Sequence, residues 1–296
     1  MSDLSNSLNN ITRPVLYLVF TVGVPGLGKS SLINKLRSQT QKLPLALETC
    51  VSDEVRSGVL AKEYAERKVS PASLSQEEIF KVEIESGPRI KEELNNQIIA
   101  KLNNLKNSGS QICLFVLDKN HCAANLVAFV KEQAEQIFQG VRIAKRVILP
   151  TLEMDANKTF GPFHFDTIAV GLVRSLGRKG HITMNHGSLH SLLSFVTCLQ
   201  NHMADNFDAK FPPEEFGRVE GNYFVREKAE EVKNQASLKD QYDRLKQIVE
   251  LLGKKQAPLA EHADFLCAAA SMFAPMSVFP PMEEEHALQF LAQLIQ

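Results

Sequence analysis

The chain has 296 residues, 33 Lys and Arg against 34 Asp and Glu, and 44% hydrophobic content, enough apolar chain for one large or two small globular domains and too much for a disordered or fibrous one. Its longest apolar run, Val15 to Val22, falls far short of the roughly 20 residues that span a bilayer, and its polar start, MSDLSNSLNN, offers neither the basic nor the apolar part of a secretory signal, so a protein of the cytoplasm or nucleus with no membrane partner is expected. A net charge of −1 neither favours nor excludes a nucleic-acid partner, because a strand end is gripped by a local basic cleft and not by a basic whole.

In chain order, residues 1–13 read as a flexible start. The run Pro14 to Val22 is apolar, β-branched and aromatic throughout and reads as a strand buried on both faces. It ends in a glycine-rich loop, after which Leu32, Ile33 and Leu36 mark a helix from Lys29. Leu45 to Val51 is a second strand, and a helix follows from Asp53. Ser75 with Glu78 has capping-box spacing, and the helical pattern after it runs to about Lys106 with a break at Gly87-Pro88. Ile112 to Leu117 is a third strand, Ala123 to Phe138 a helix, and Val141 to Leu149 a fourth strand.

Beyond Phe163 the signals are helical, over Thr167 to Leu176, Ser188 to Met203, Tyr223 to Leu252 and Glu283 to Ile295. Strands alternating with helices imply an α/β fold with a parallel sheet of about four strands and right-handed crossovers, carried by residues 14–211 and followed by a helical extension over 212–296. The five cysteines, Cys50, Cys113, Cys122, Cys198 and Cys267, are scattered and odd in number, which suits reduced thiols and not a disulfide framework.

Gly23-Val-Pro-Gly26-Leu-Gly28-Lys29-Ser30 matches G-x-x-x-x-G-K-[ST] in full, between a buried strand and a helix. In that setting the loop amides and the helix N-terminus converge on phosphate oxygens. Gly23, Gly26, Gly28, Lys29, Ser30 and Ser31 are the expected nucleotide ligands, with Lys29 in a solvated loop reaching the β/γ-phosphates and Ser30 holding Mg²⁺. The same residues can instead form a tight strand-to-helix turn. Asp118, at the carboxyl end of the third strand, is placed to hold a metal-bound water, and Lys119 stands where motor ATPases usually carry an acid. Neither an N-K-x-D nor a D-x-x-G motif speaks for a GTPase.

Val51-Ser-Asp53-Glu-Val-Arg56 ends the second strand beside this loop. Asp53 can take a proton from an attacking hydroxyl while Arg56, three residues on, grips an acceptor phosphate. The competing reading makes Ser52 or Asp53 a helix cap and Arg56 a solvated side chain.

The combination of G-x-P-G-x-G-K-S, S-D-E-V-R, L-D-K-N at residues 117–120 and a helix bearing Arg174 and Arg178 resembles the polynucleotide 5′-kinase module of plant- and fungal-type tRNA ligases, and is similar to the bacteriophage end-healing kinase. The likeness covers about residues 14 to 220. It implies a P-loop kinase fold that uses ATP or GTP with Mg²⁺ to phosphorylate a 5′-OH RNA end, a tRNA half for instance. Asp53 would be the general base, Arg56 the acceptor-phosphate ligand, Asp118 a metal-water or loop organiser, and Arg174 and Arg178 cations of a lid near 174–187. That lid can also be a solvated basic loop. Nothing in the chain resembles a ligase lysine motif or a paired H-x-T/S phosphodiesterase, so a separate ligase and 3′-end-healing activity are the implied partners. A small-molecule kinase and a non-catalytic nucleotide-binding subunit remain the alternatives. His181, His186 and His190 read as phosphate-facing or surface residues, and the apolar stripe of the tail as core or partner packing.

Overall fold

The computed structural model describes residues 8, 11–41, 43–120, 122–155, 158–177, 189–204, 206–222, 236–273 and 284–296. Val15–Thr21 forms β1, buried along its whole length, with Leu16, Leu18 and Phe20 turned into one core and Val15, Tyr17 and Val19 into another. Burial on both faces is what an unbroken apolar run requires of a central parallel strand. β1 pairs in parallel with β3 (Ile112–Asp118) and β4 (Arg142–Asp155), and β3 pairs with β2 (Ala46–Val51). β5 (Lys158–Phe160) folds back antiparallel on the far end of β4.

The sheet has five parallel strands and not four. The fifth, β6 (Phe216–Asn222), pairs in parallel with β4, giving the order β2-β3-β1-β4-β6. It lies in the segment expected to be helical, so the sheet draws on both sides of the boundary placed at 211. Its sequence hides it: Phe216 enters one core and Val219 the other, leaving one buried apolar residue per face and no period-2 pattern.

Helices α1 (Lys29–Thr40) and α11 (Glu284–Ile295) cover one face of the sheet. There the Tyr17 hydroxyl donates to Ile295 O at 2.7 Å, fastening the last helix to the central strand. The other face is covered by α4 (Gly87–Asn107) and α5 (Ala124–Ile137). Between β2 and α4 lie α2 (Ser52–Glu66) and α3 (Gln76–Glu85), and α3 opens with the Ser75–Glu78 capping box its sequence announces. α4 starts directly after it with Pro88 in the first turn, where a missing N–H breaks no helical bond.

A third core is built mainly from helices. α6 (Phe165–Gly177), α7 (Leu189–Ala204), α9 (Ala236–Gly253) and α10 (Ala263–Met272) pack on one another and on Val24 and Leu27 of the glycine loop; between α7 and β6 lies the short α8 (Phe207–Lys210). Buried Asp166 joins α6 to α9, accepting from the Tyr242 hydroxyl at 2.9 Å and lying 3.3 Å from the Lys246 ammonium. The part of the tail formed by α9 and α10 is therefore packed against the loop-bearing edge of the protein.

All five cysteines are free thiols, three of them buried. Among the described residues no helix is long and apolar enough to cross a membrane.

Candidate active site

The carboxyl ends of β1, β2 and β3 meet at one edge of the sheet, since Val51 stands opposite Asp118 and Phe20 opposite Leu117. That edge is where open parallel sheets bind ligands. After β1 the chain passes through three glycines with φ of 121° (Gly23), 85° (Gly26) and 76° (Gly28), values that side-chain-bearing residues adopt only with strain. Gly28 is the N-cap of α1, so the first-turn amides of that helix point toward the loop and make an anion-binding end.

The loop is also pressed onto α6. A Cβ on Gly26 would lie 2.1 Å from Gly171 O, and a Cβ on Gly171 would lie 2.8 Å from Pro25 O. Gly171 was not singled out from the sequence, although a glycine inside so apolar a helix costs about 1 kcal/mol and calls for a packing reason. Gly171→Ala should therefore destabilise the protein by about 1–3 kcal/mol in urea unfolding, reversing the usual sign of this change in a helix. A more stable variant would show that the loop yields. One turn on, Arg174 Nη1 donates to Gly26 O at 2.7 Å. Arg174 thus sits in the last turn of α6 and holds the loop, whereas residues 178–187 of the expected lid, Arg178, His181 and His186 among them, lie outside the described residues, as does the side chain of His190.

Lys29 differs from expectation. It is not in solvent but 4% exposed, and its ammonium donates to Gly23 O (3.0 Å) and Val24 O (2.8 Å). The reason is electrostatic: two loop carbonyls accept from the buried charge. Beside it, Ser30 Oγ donates to Asp118 Oδ2 at 2.8 Å, and Thr21 Oγ1 donates to Asp118 Oδ1 at 3.0 Å while accepting from the Lys119 amide at 3.3 Å. Thr21 went unnoticed in the sequence; a lone hydroxyl closing a buried strand is the signal it left.

Burial raises the pKa of Asp118, with Lys29, Ser30 and Thr21 acting against the rise and Asp53 adding to it. A carboxyl whose folded pKa lies above its unfolded value is bound to its proton more tightly when folded, so stability falls as the pH climbs through that interval and the ionised group is a burden above it. Asp118→Asn should consequently have a higher Tm than the parent at pH 7, with the gap closing as the pH drops below the ordinary carboxyl value of 3.8. A lower Tm at pH 7 would mean that the lost hydrogen bonds outweigh the relieved burial.

Asp53 is in the first turn of α2, whose N-cap is Val51, so neither Ser52 nor Asp53 is the cap that the sequence allowed. Arg56 follows on the same helix. Its Nη2 is 2.5 Å from Glu83 Oε2 of α3, while its Nε is buried with no hydrogen-bond partner among the described residues. Asp53, Arg56 and the loop face one cleft of about 530 Å³, lined by Gly26, Gly28, Lys29 and Ser30 from the loop and by Lys119 and Asn120 after β3. Gly23, Ser31, Asp118 and Arg174 stand outside that lining; Asp118 acts on it through Ser30.

The far wall comes from α7, an element the sequence reading left out of the site. Leu193, Ser194, Thr197, Cys198 and Asn201 line it, and burial pushes the Cys198 thiol up to about 11, opposed by the charges of Lys29 and Lys119. Ser175 adds a buried hydroxyl that has no hydrogen-bond partner among the described residues. Buried groups left unmatched in this way are costly, and the cleft holds two of them.

The cleft therefore combines a glycine loop at a helix N-terminus, the Asp53 carboxylate and the Arg56 guanidinium, with Asp118 behind Ser30. Compared with known proteins, the sequence matches no protein-family model and no curated protein.

Proposed function

We propose that the chain is a polynucleotide 5′-hydroxyl kinase, which moves the γ-phosphoryl group of ATP or GTP onto the 5′-OH end of an RNA strand. The observation that carries this reading is the position of Asp53 and Arg56 in the same cleft as Lys29 and Ser30, so that a donor phosphate and an acceptor hydroxyl can be held in one space. Phosphoryl transfer asks for positioning and charge neutralisation more than covalent chemistry.

In this reading the loop amides and Lys29 hold the β- and γ-phosphates. Asp53 takes the proton of the attacking 5′-hydroxyl as its oxygen bonds to the γ-phosphorus, and the bond from that phosphorus to the bridging oxygen breaks to release the nucleoside diphosphate. Arg56, on the cleft wall, offers its guanidinium to the acceptor's adjacent phosphate, a charge-assisted contact that a free nucleoside cannot make. Ser30 and Asp118 suit Mg²⁺, which is held in phosphate sites by one or two carboxylates and the substrate's own oxygens. When bound, the ion supplies neutralising charge on the phosphates. Arg174 keeps the loop in shape through Gly26 O. The 5′-phosphate so formed is the kind of end that a separate ligase consumes.

The test is a direct comparison of acceptors: γ-labelled ATP or GTP offered with a 5′-OH RNA oligonucleotide, its DNA counterpart or free nucleosides. Label on the RNA end supports the proposal. Label confined to nucleosides makes the protein a small-molecule kinase, and bound NTP with no label transferred makes it a nucleotide-binding subunit.

A further inference from the structure

Helix α7 is unusual in its charge. Its 16 residues include no Asp, Glu, Lys or Arg, in a chain of which 23% is charged. Leu192, Phe195, Val196 and Leu199 turn one side of it into the third core. A helix buried on one side ordinarily carries charged groups on the other, and here the other side is polar without them. Ser194, Thr197, Cys198 and Asn201 line the cleft together with Leu193, which is 45% exposed. Leu193, Thr197 and Asn201 stand four residues apart and so form one row about 12 Å long.

The rest of the cleft is charged. Asp53, Arg56 and Lys119 line it, and a phosphate backbone is drawn to the two cations, whereas the α7 face offers it none. What α7 can hold is a neutral, flat group with hydrogen-bonding edges. Leu193 supplies apolar contact for the face of a base, and two hydroxyls and an amide supply donors and acceptors for its edge and for ribose hydroxyls. Laying the same group on Asp53 or Arg56 would strip water from a charge.

Two observations join this face to the glycine loop. Burial raises the Cys198 thiol and the charges of Lys29 and Lys119 oppose the rise, so α7 stands within electrostatic reach of the loop cation. Ser175, 1% exposed in the last turn of α6, also lines the cleft; its hydroxyl has no hydrogen-bond partner among the described residues, and a Cβ on Gly26 would lie 2.8 Å from it. A buried hydroxyl left unmatched beside the loop calls for a partner, and a ligand that continues past the loop can be one.

We infer that the uncharged face of α7 seats the nucleoside of the phosphate donor, base and ribose together, while the glycine loop holds its phosphates. This rests on the kinase reading for the loop's ligand. The row on α7 then distinguishes a nucleotide from any other triphosphate, a task that the loop, which meets only phosphate oxygens, does not perform.

The experiment measures Kd on the full chain with Mg²⁺ for ATP, for GTP and for methyl triphosphate, which keeps the phosphates and lacks base and ribose. The parent should bind the better of the two nucleotides more tightly than methyl triphosphate. A double variant, Thr197→Ala with Asn201→Ala, alters two exposed positions and should weaken that nucleotide by about 5- to 150-fold, the worth of two net hydrogen bonds, with methyl triphosphate bound as in the parent. Thr197→Ser keeps the hydroxyl and should keep the parental Kd. Equal affinity of the parent for nucleotide and methyl triphosphate overturns the inference, as does parental nucleotide affinity in the double variant. So does an equal loss for both ligands, which would make α7 a support of the loop. The kinase reading fails by a different result, in which nucleotide is selected through α7 as expected but no label passes to any acceptor.

Discussion

Asp53→Ala is expected to lower the rate of phosphoryl transfer by about 10²- to 10⁴-fold, the usual worth of a positioned general base. The expectation comes from geometry. β2 ends at Val51 opposite Asp118, and α2 begins at once, which carries the Asp53 carboxylate to the sheet edge and into the cleft within a helical first turn. A side chain rooted in a helix is held more tightly than one on a loop, and a base gains its effect from being held. The loss should fall on turnover, with NTP affinity near that of the parent, because the proposal assigns phosphate binding to the glycine loop and α1. Single-turnover transfer together with direct NTP binding checks both parts. A variant that fails to bind NTP would assign Asp53 to loop structure, and one that transfers at the parental rate would remove it from the chemistry.

Lys29→Ala should reduce transfer by about 10²- to 10³-fold or more, since it removes a preorganised cation from the place where charge gathers on the transferring group. The buried position of Lys29 adds a second effect. Its ammonium donates to Gly23 O and Val24 O, so truncation leaves two carbonyls without that donor and should cost roughly 1–3 kcal/mol of stability. In the proposed kinase the same ammonium would exchange carbonyl acceptors for phosphate oxygens on NTP binding. Lys29→Ala is therefore less stable than the parent in urea and gains less from added NTP, which chemical unfolding with and without nucleotide reads directly. Parental transfer in this variant would show that the loop is not the phosphate site.

Much of this site is written in the local sequence because local rules govern it. The run from Val15 to Val22 can only be a strand buried on both faces, three glycines are needed for three positive φ angles, and Lys29 opens a helix with apolar side chains at helical spacing. Asp53 and Asp118 follow from the same logic, because each lies at or just past the end of a strand of legible pattern, and parallel strands deliver their carboxyl ends to a common edge. The capping box at Ser75 and the break before Pro88 are likewise decided within a few residues.

What depended on tertiary structure involves partners far apart in the chain. β6 carries one buried apolar residue per face and is a strand only because β4 offers it a row of backbone partners. Lys29 is buried because the loop closes over it, Gly171 matters because Gly26 rests against it 145 residues away in sequence, as the Gly26 carbonyl also draws in Arg174. Glu83 meets Arg56 across two helices, and α7 becomes a wall of the cleft only after α6, α9 and α10 have packed behind it. Periodicity and spacing report on conformations that a short segment adopts for its own reasons. Which surfaces then face each other is set by the burial of apolar area and the pairing of buried polar groups across the whole chain, and no short segment encodes that.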